Sequence, residues 1–135
     1  MSERNRNNFA ELQIPLFVHP FDGPEFLDLK IRLNGSNNFR SWKRAMEIAL
    51  FTKRKLPFVH GTLPRPTDDP IKGDQWDACN NLVISWIMNT VSDSIADSIL
   101  YIESATEIWK QLEKRFAVSN GARKYKLNKD VYNLK

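Results

Sequence analysis

One cysteine and two histidines are all that this chain of 135 residues offers for soft metal chemistry. A lone Cys79 permits neither an internal disulfide nor a zinc knuckle. His19 and His60 fall in separate loop-like stretches, with no cysteine or carboxylate at metal-ligand spacing. Glycine is scarce, at five residues, and none builds a phosphate-cradling loop; a nucleophile elbow and an aspartic-protease triplet are missing as well. No catalytic, cofactor-binding or metal site is therefore expected. Asp68 and Asp69 precede Pro70 and read as turn residues rather than as an acid–base pair. No apolar run reaches the ~18 residues of a membrane span. The polar start, Met1 to Asn8, does not read as a signal peptide, and Ser2 stands where myristoylation needs glycine.

Helical periodicity is what the chain does have. After a turn-forming run, Asn34 to Asn38, the residues Phe39, Trp42, Met46, Ala49 and Leu50 recur on one face of a 3.6-residue period. Arg40, Lys43, Arg44 and Glu47 fall mostly on the other side. Ser36 or Asn37 is placed to cap this first helix, and Pro57 to stop it. Ala45, Ile48 and Phe51 lie off the core stripe, more apolar surface than a solvated face requires; they suit contact with a neighbour or, for Ile48 and Phe51, packing beneath the N-terminal arm.

Upstream, residues 1–9 read as a disordered tail. From residue 10, Pro15, Pro20 and Pro24 break the chain into short pieces, yet Leu12, Ile14, Leu16, Phe17 and Val18 are too apolar for a free tail. This segment reads as an extended arm that packs on the helices or on a neighbour. Lys30 to Leu33 alternates as a short strand would. Downstream, Leu56 to Gly73 holds Pro57, Pro64, Pro66 and Pro70 and reads as a long loop, with Phe58, Val59 and Leu63 dipping to the core.

A second helix is expected from about Asp74 to Thr90, with Trp76, Cys79, Val83, Trp86, Ile87 and Thr90 on one face. Ser92 opens a short third helix with Ile95 and Ile99 inward and Leu100 as a further inward candidate. Ser104 to Glu107 has capping-box spacing and starts a fourth, in which Ala105, Ile108, Trp109, Leu112 and Phe116 share a stripe. Ser119 to Gly121 breaks it. Leu127, Val131 and Leu134 mark a last helical stretch that meets no stop signal before Lys135, as in a fragment of a longer chain. Trp42, Trp86 and Trp109 should meet in one core.

The net charge of +4 is unevenly spread. Lys110 to Lys135 holds eight basic residues and two acidic ones. Arg40, Lys43, Arg44, Lys53, Arg54 and Lys55 flank the first helix against Glu47 alone. Such clusters can neutralise phosphates without reading sequence. Lys114, Arg115, Arg123, Lys124, Lys126 and Lys129 are the candidate nucleic-acid contacts.

Leu33-Asn34-Gly35-Ser36-Asn37-Asn38-Phe39, followed by Trp42, resembles the opening of the Gag-like region of plant copia-type retrotransposon polyproteins. The resemblance continues through Lys53-Arg54-Lys55-Leu56-Pro57-Phe58-Val59-His60-Gly61, the proline-rich loop, Trp76, Val83 to Ile87, Ile95 to Ile99, and Ala105 to Phe116. Phe39 stands where tyrosine is common. The resemblance implies a capsid-forming structural protein: an all-helical lobe that assembles with copies of itself and encloses RNA, in cytoplasmic particles. A second, C-terminal lobe and often a zinc knuckle follow in such proteins, and neither lies within these residues.

The expectation is thus an all-α domain over residues 10–135, about five helices in a compact orthogonal bundle like a retroviral capsid N-terminal lobe. An extended arm precedes it, and the proline-rich loop separates its first two helices. Its expected role is non-enzymatic self-association, with Leu16, Phe17, Val18, Ala45, Ile48 and Phe51 as contact residues, a C-terminal lobe as further partner, and no membrane. The alternative is a monomeric RNA-binding module built on the basic C-terminal helix.

Overall fold

The computed structural model describes residues 27–117, and its first helix, α1 (Ser36–Thr52), follows directly from the turn at Asn34 and Gly35. Gly35 is the N-cap and has no side chain to close the first helical turn. Asn38 closes it instead. Its Oδ1 accepts from the amides of Asn34 at 3.0 Å and Gly35 at 3.4 Å, and its Nδ2 donates to the Arg32 carbonyl at 2.8 Å. Ser36 and Asn37, the caps expected from composition, lie inside the helix.

The other end also departs from expectation. α1 stops well before Pro57, because Arg54 takes a left-handed conformation at φ 60. The Lys55 amide then reaches the Leu50 carbonyl at 2.9 Å and the Arg54 amide reaches Phe51 at 3.0 Å. This is the Schellman closure, with arginine where glycine is usual. Lys55 is buried as a result, its ammonium donating to the Lys53 carbonyl at 3.2 Å, so it leaves the surface cluster to which its charge had assigned it.

The proline-rich segment is less extended than its composition implies. Pro57–His60 forms a short helix, α2, with proline at its first turn and Gly61 as a left-handed cap at φ 73. α3 (Pro70–Asn89) begins at Pro70 rather than near Asp74. Asp69 caps it, accepting from the Ile71 and Lys72 amides at 2.9 and 3.4 Å, and a proline in the first turn leaves no amide unsatisfied. The stretch between is fastened to α3. Trp76 Nε1 donates to the Leu63 carbonyl at 2.8 Å, and Arg65 grips Asp77 through two bonds of 2.8 and 2.9 Å. The guanidinium hydrogen bond holds the Asp77 carboxyl below the usual carboxylate range, and Asp77 in turn raises Arg65.

Two short helices follow, α4 (Asp93–Ile99) and α5 (Ala105–Leu112). Ser92 Oγ accepts from the Ile95 amide at 3.4 Å, and Ser104 Oγ accepts from the Glu107 amide at 3.3 Å, as the capping spacing implied. α5 then widens into a π-helical turn, Glu113–Ala117, where the stripe of apolar residues had counted as regular helix. Leu100 turns outward, 47% exposed, in place of the inward position considered for it.

Phe39, Trp42, Met46, Leu50, Val83, Trp86, Ile87, Ile108, Trp109 and Leu112 are buried in one cluster. Trp76 and Phe116 differ from that expectation: both are half-buried and pack on its edge. The Trp76 ring meets Phe58 at 5.6 Å in a tilted contact beneath the loop, and Phe116 meets Phe39 at 6.0 Å from the π turn. Trp42 sits 5.3 Å from Trp109 and 6.0 Å from Phe39.

Polar side chains join elements that are distant in sequence. Trp42 Nε1 donates to Thr90 Oγ1 at 3.1 Å, and the Thr90 hydroxyl donates to the Ile87 carbonyl at 2.9 Å, all of it buried. Buried Asn80 donates to the Glu103 carbonyl at 2.8 Å and accepts from the Ala105 amide at 2.9 Å, tying the α4–α5 connection to α3. The alternation at Lys30 to Leu33 yields one isolated parallel bridge, Leu33 to Val91, and no strand is found among the described residues.

The all-α class therefore holds. The described helices number five, α2 included. Residues 10–26 of the arm, the tail of residues 1–9 and the stretch carrying Leu127, Val131 and Leu134 lie outside the described residues; of the remaining arm, Leu27 is buried and Leu29 and Ile31 pack against the core.

Candidate assembly surface

α1 has two unlike faces, because its core stripe uses only one side of the helix. The outer side presents Arg40, Arg44, Ile48 and Phe51, all exposed, at spacings that place them along one flank. Ile48 is 48% and Phe51 58% exposed. Beside them runs a groove of ≈ 420 Å³ bounded by Arg44, Glu47, Ile48, Phe51, Thr52 and Leu56. Leu56 belongs to this wall because the Schellman turn folds it back past the helix end. Linear spacing could not have placed it there.

Charges frame the apolar patch. The Arg54 guanidinium lies 5.7 Å from the Phe51 ring, and the Lys53 ammonium stands 5.3 Å over Trp86. Lys43 pairs with Glu113 at 2.9 Å across to the π turn, and His60 meets Glu47 at 3.2 Å. These contacts fasten α1 to α2 and α5 at its edges and leave the outer flank open.

Of the residues expected to make self-contacts, Ala45 is half-buried and Ile48 and Phe51 are exposed. Leu16, Phe17 and Val18 lie outside the described residues. Among the basic residues expected to meet phosphates, Lys114 and Arg115 are exposed on the π turn. Arg115 is partly engaged, donating to Ser98 Oγ at 2.6 Å and lying 4.9 Å from the Phe116 ring. Arg123, Lys124, Lys126 and Lys129 lie outside the described residues. His60 and Asp68 are exposed, Asp69 is half-buried as the cap of α3, and Cys79 is buried; no three histidine, cysteine or carboxylate side chains gather for a metal among the described residues. Within those residues no helix is long and apolar enough to cross a membrane.

Residues 19–67, which include α1, α2 and part of the proline-rich loop, match the family described as the Gag-polypeptide of LTR copia-type. Over 103 residues the chain is also 26% identical to the retrovirus-related Pol polyprotein from transposon TNT 1-94 of Nicotiana tabacum, an alignment covering 76% of this chain. Residues 19–67 are thus similar to the Gag region of copia-type elements, and the relative found is a plant one. The chain spans only 8% of the tobacco polyprotein. No solved structure gives a significant match.

The Gag-like motif residues have physical jobs in this fold. Leu33 is fully buried and exchanges backbone bonds with the end of α3, its amide to the Thr90 carbonyl at 2.9 Å and its carbonyl to the Ser92 amide at 2.8 Å. Trp42 fills the core. Gly61 closes α2 at a positive φ that side chains resist, and a Cβ there would stand 3.0 Å from Thr106 Cγ2. Thr106 itself donates to the Phe58 carbonyl at 2.7 Å, clamping α2 to α5.

Proposed function

We propose that this Gag-like region is a non-enzymatic building block that associates with copies of itself. The observation behind the reading is the outer flank of α1: two large apolar side chains, exposed beside a groove, on a helix whose other face already fills the core. Ile48 and Phe51 together are more apolar surface than a solvated flank requires. Shell proteins assemble from many weak, repeated contacts, so a single domain should associate weakly.

Sedimentation velocity or light scattering across a concentration series, from micromolar to millimolar, tests this. The wild type should show concentration-dependent association. Phe51→Glu should keep its helical circular dichroism and lose that association. Strict monomers throughout, together with salt-sensitive RNA binding that is lost on changing Lys114 and Arg115, would replace this reading with the nucleic-acid module.

A further inference from the structure

The exposed large apolar side chains of the described residues are Ile48, Phe51, Ile71, Leu100 and Tyr101. Four of them fall on two surfaces that differ in charge. Ile48 and Phe51 lie on α1, which with its C-terminal turn carries Arg40, Lys43, Arg44, Lys53 and Arg54 outside the core against one acid, Glu47. Leu100 and Tyr101 lie at the end of α4, in the stretch from Val91 to Trp109, which holds Asp93, Asp97, Glu103 and Glu107 and no lysine or arginine.

Contacts from other elements reduce this contrast without reversing it. Lys43 is matched by Glu113, Asp93 by Arg32 at 3.0 Å and Glu107 by Lys110 at 3.9 Å, while Arg115 reaches α4 itself and donates to Ser98 Oγ at 2.6 Å. Arg40, Arg44 and Arg54 make no ion pair among the described residues, and neither do Asp97 and Glu103. Tyr101 is 90% exposed, so its ring contributes almost nothing to its own fold. A tyrosine so placed offers a large, rigid contact area at low entropy cost.

Two α1 flanks brought face to face would oppose Arg40, Arg44 and Arg54 to their own copies. Like-charge juxtaposition disfavours that isologous pairing. We infer that the contact is heterologous: the basic α1 flank of one copy docks on the acidic Leu100–Tyr101 knuckle of the next. Such a head-to-tail contact uses a different surface on each partner and propagates into rings or lattices instead of stopping at a dimer. The inference rests on the self-association reading and specifies its faces.

Mixing two single-face variants tests it. Phe51→Glu spoils the α1 flank and keeps the knuckle; Tyr101→Lys spoils the knuckle and keeps the flank. Both side chains are mostly exposed, so both variants should hold wild-type circular dichroism, and Ile48→Glu and Asp97→Lys serve as replacements if either misfolds. Each variant alone should associate roughly tenfold or more weakly than the wild type. Their equimolar mixture should form a one-to-one dimer and nothing larger, since only one intact flank and one intact knuckle remain per pair. Wild-type association should weaken as salt rises.

A Tyr101→Lys protein that associates like the wild type overturns the heterologous contact and leaves self-association standing. So does a mixture that stays monomeric while the wild type assembles. A wild type that never associates overturns the parent reading, and the assignment of faces with it.

Discussion

Replacing Thr90 with valine probes the joint between α1 and the end of α3. Valine has the shape of threonine, so the site keeps its packing and opens no cavity. What disappears is the hydroxyl that accepts from Trp42 Nε1 at 3.1 Å. Trp42 is fully buried and Thr90 is 5% exposed, so water does not replace the lost acceptor. A buried donor stranded in this way costs about 1–3 kcal/mol. The Ile87 carbonyl also loses the hydroxyl but keeps the Thr90 amide at 3.0 Å, so it adds little. The extra methyl in valine offsets under ~1 kcal/mol through apolar burial. The net expectation is a loss of about 1–2 kcal/mol. Thr90→Ser keeps the hydroxyl and should lose only about 1 kcal/mol, for one methyl group. Urea unfolding followed by circular dichroism reads the difference as a shift in midpoint at constant slope. Trp42→Phe removes the donor itself. In a double-mutant cycle, it should cost about 1–2 kcal/mol less in the valine background than in the wild type. Full additivity, or a valine variant as stable as the wild type, would refute the buried hydrogen bond as a contributor.

Backbone geometry and charge give further tests. Arg54→Gly should stabilise by up to about 1 kcal/mol, since glycine accepts the left-handed conformation that arginine holds at φ 60; a loss instead would show that the contact with Phe51 outweighs the relief. Gly61→Ala should destabilise by roughly 1–2 kcal/mol or more, from a strained φ of 73 and a close approach to Thr106, measured by the same urea midpoints. Asp77 has its folded-state titration lowered by Arg65, so its contribution to stability is full above the unfolded value of about 3.9 and is lost as pH falls through the lower folded one. Arg65→Gln should move the Asp77 carboxyl resonance titration upward toward the ordinary range, and an unmoved midpoint would sever the link.

Helix content was legible in the sequence because amphipathic periodicity is a local property. Phe39, Trp42, Met46 and Leu50 share a face whatever they pack against, and so do Ala105, Ile108, Trp109 and Leu112. Phe39, Trp42, Ala105, Ile108, Trp109 and Leu112 also carried the Gag resemblance, and the short helices α4 and α5 opened where serine caps foretold. Local spacing also marked Ile48 and Phe51 as surplus to the core, which is half of the candidate surface.

Tertiary structure decided the remainder, because it depends on groups brought together across long separations. Asn38 displaced Ser36 and Asn37 as the cap of α1 by reaching the Arg32 carbonyl, a partner no capping rule specifies. Arg54 ended α1 ahead of Pro57, since the Schellman bonds buried Lys55 and turned Leu56 back along the helix. The proline-rich loop proved partly helical because Thr106, Trp76 and Asp77 supply its bonds from other elements. The acidic knuckle at Leu100 and Tyr101 stands out only in three dimensions. Ile99 satisfies the core there, Asn80 pins the following backbone to α3, and the two apolar residues between are left facing outward. A periodic pattern states which residues prefer burial; the packing of distant segments determines how many of them the core has room to take.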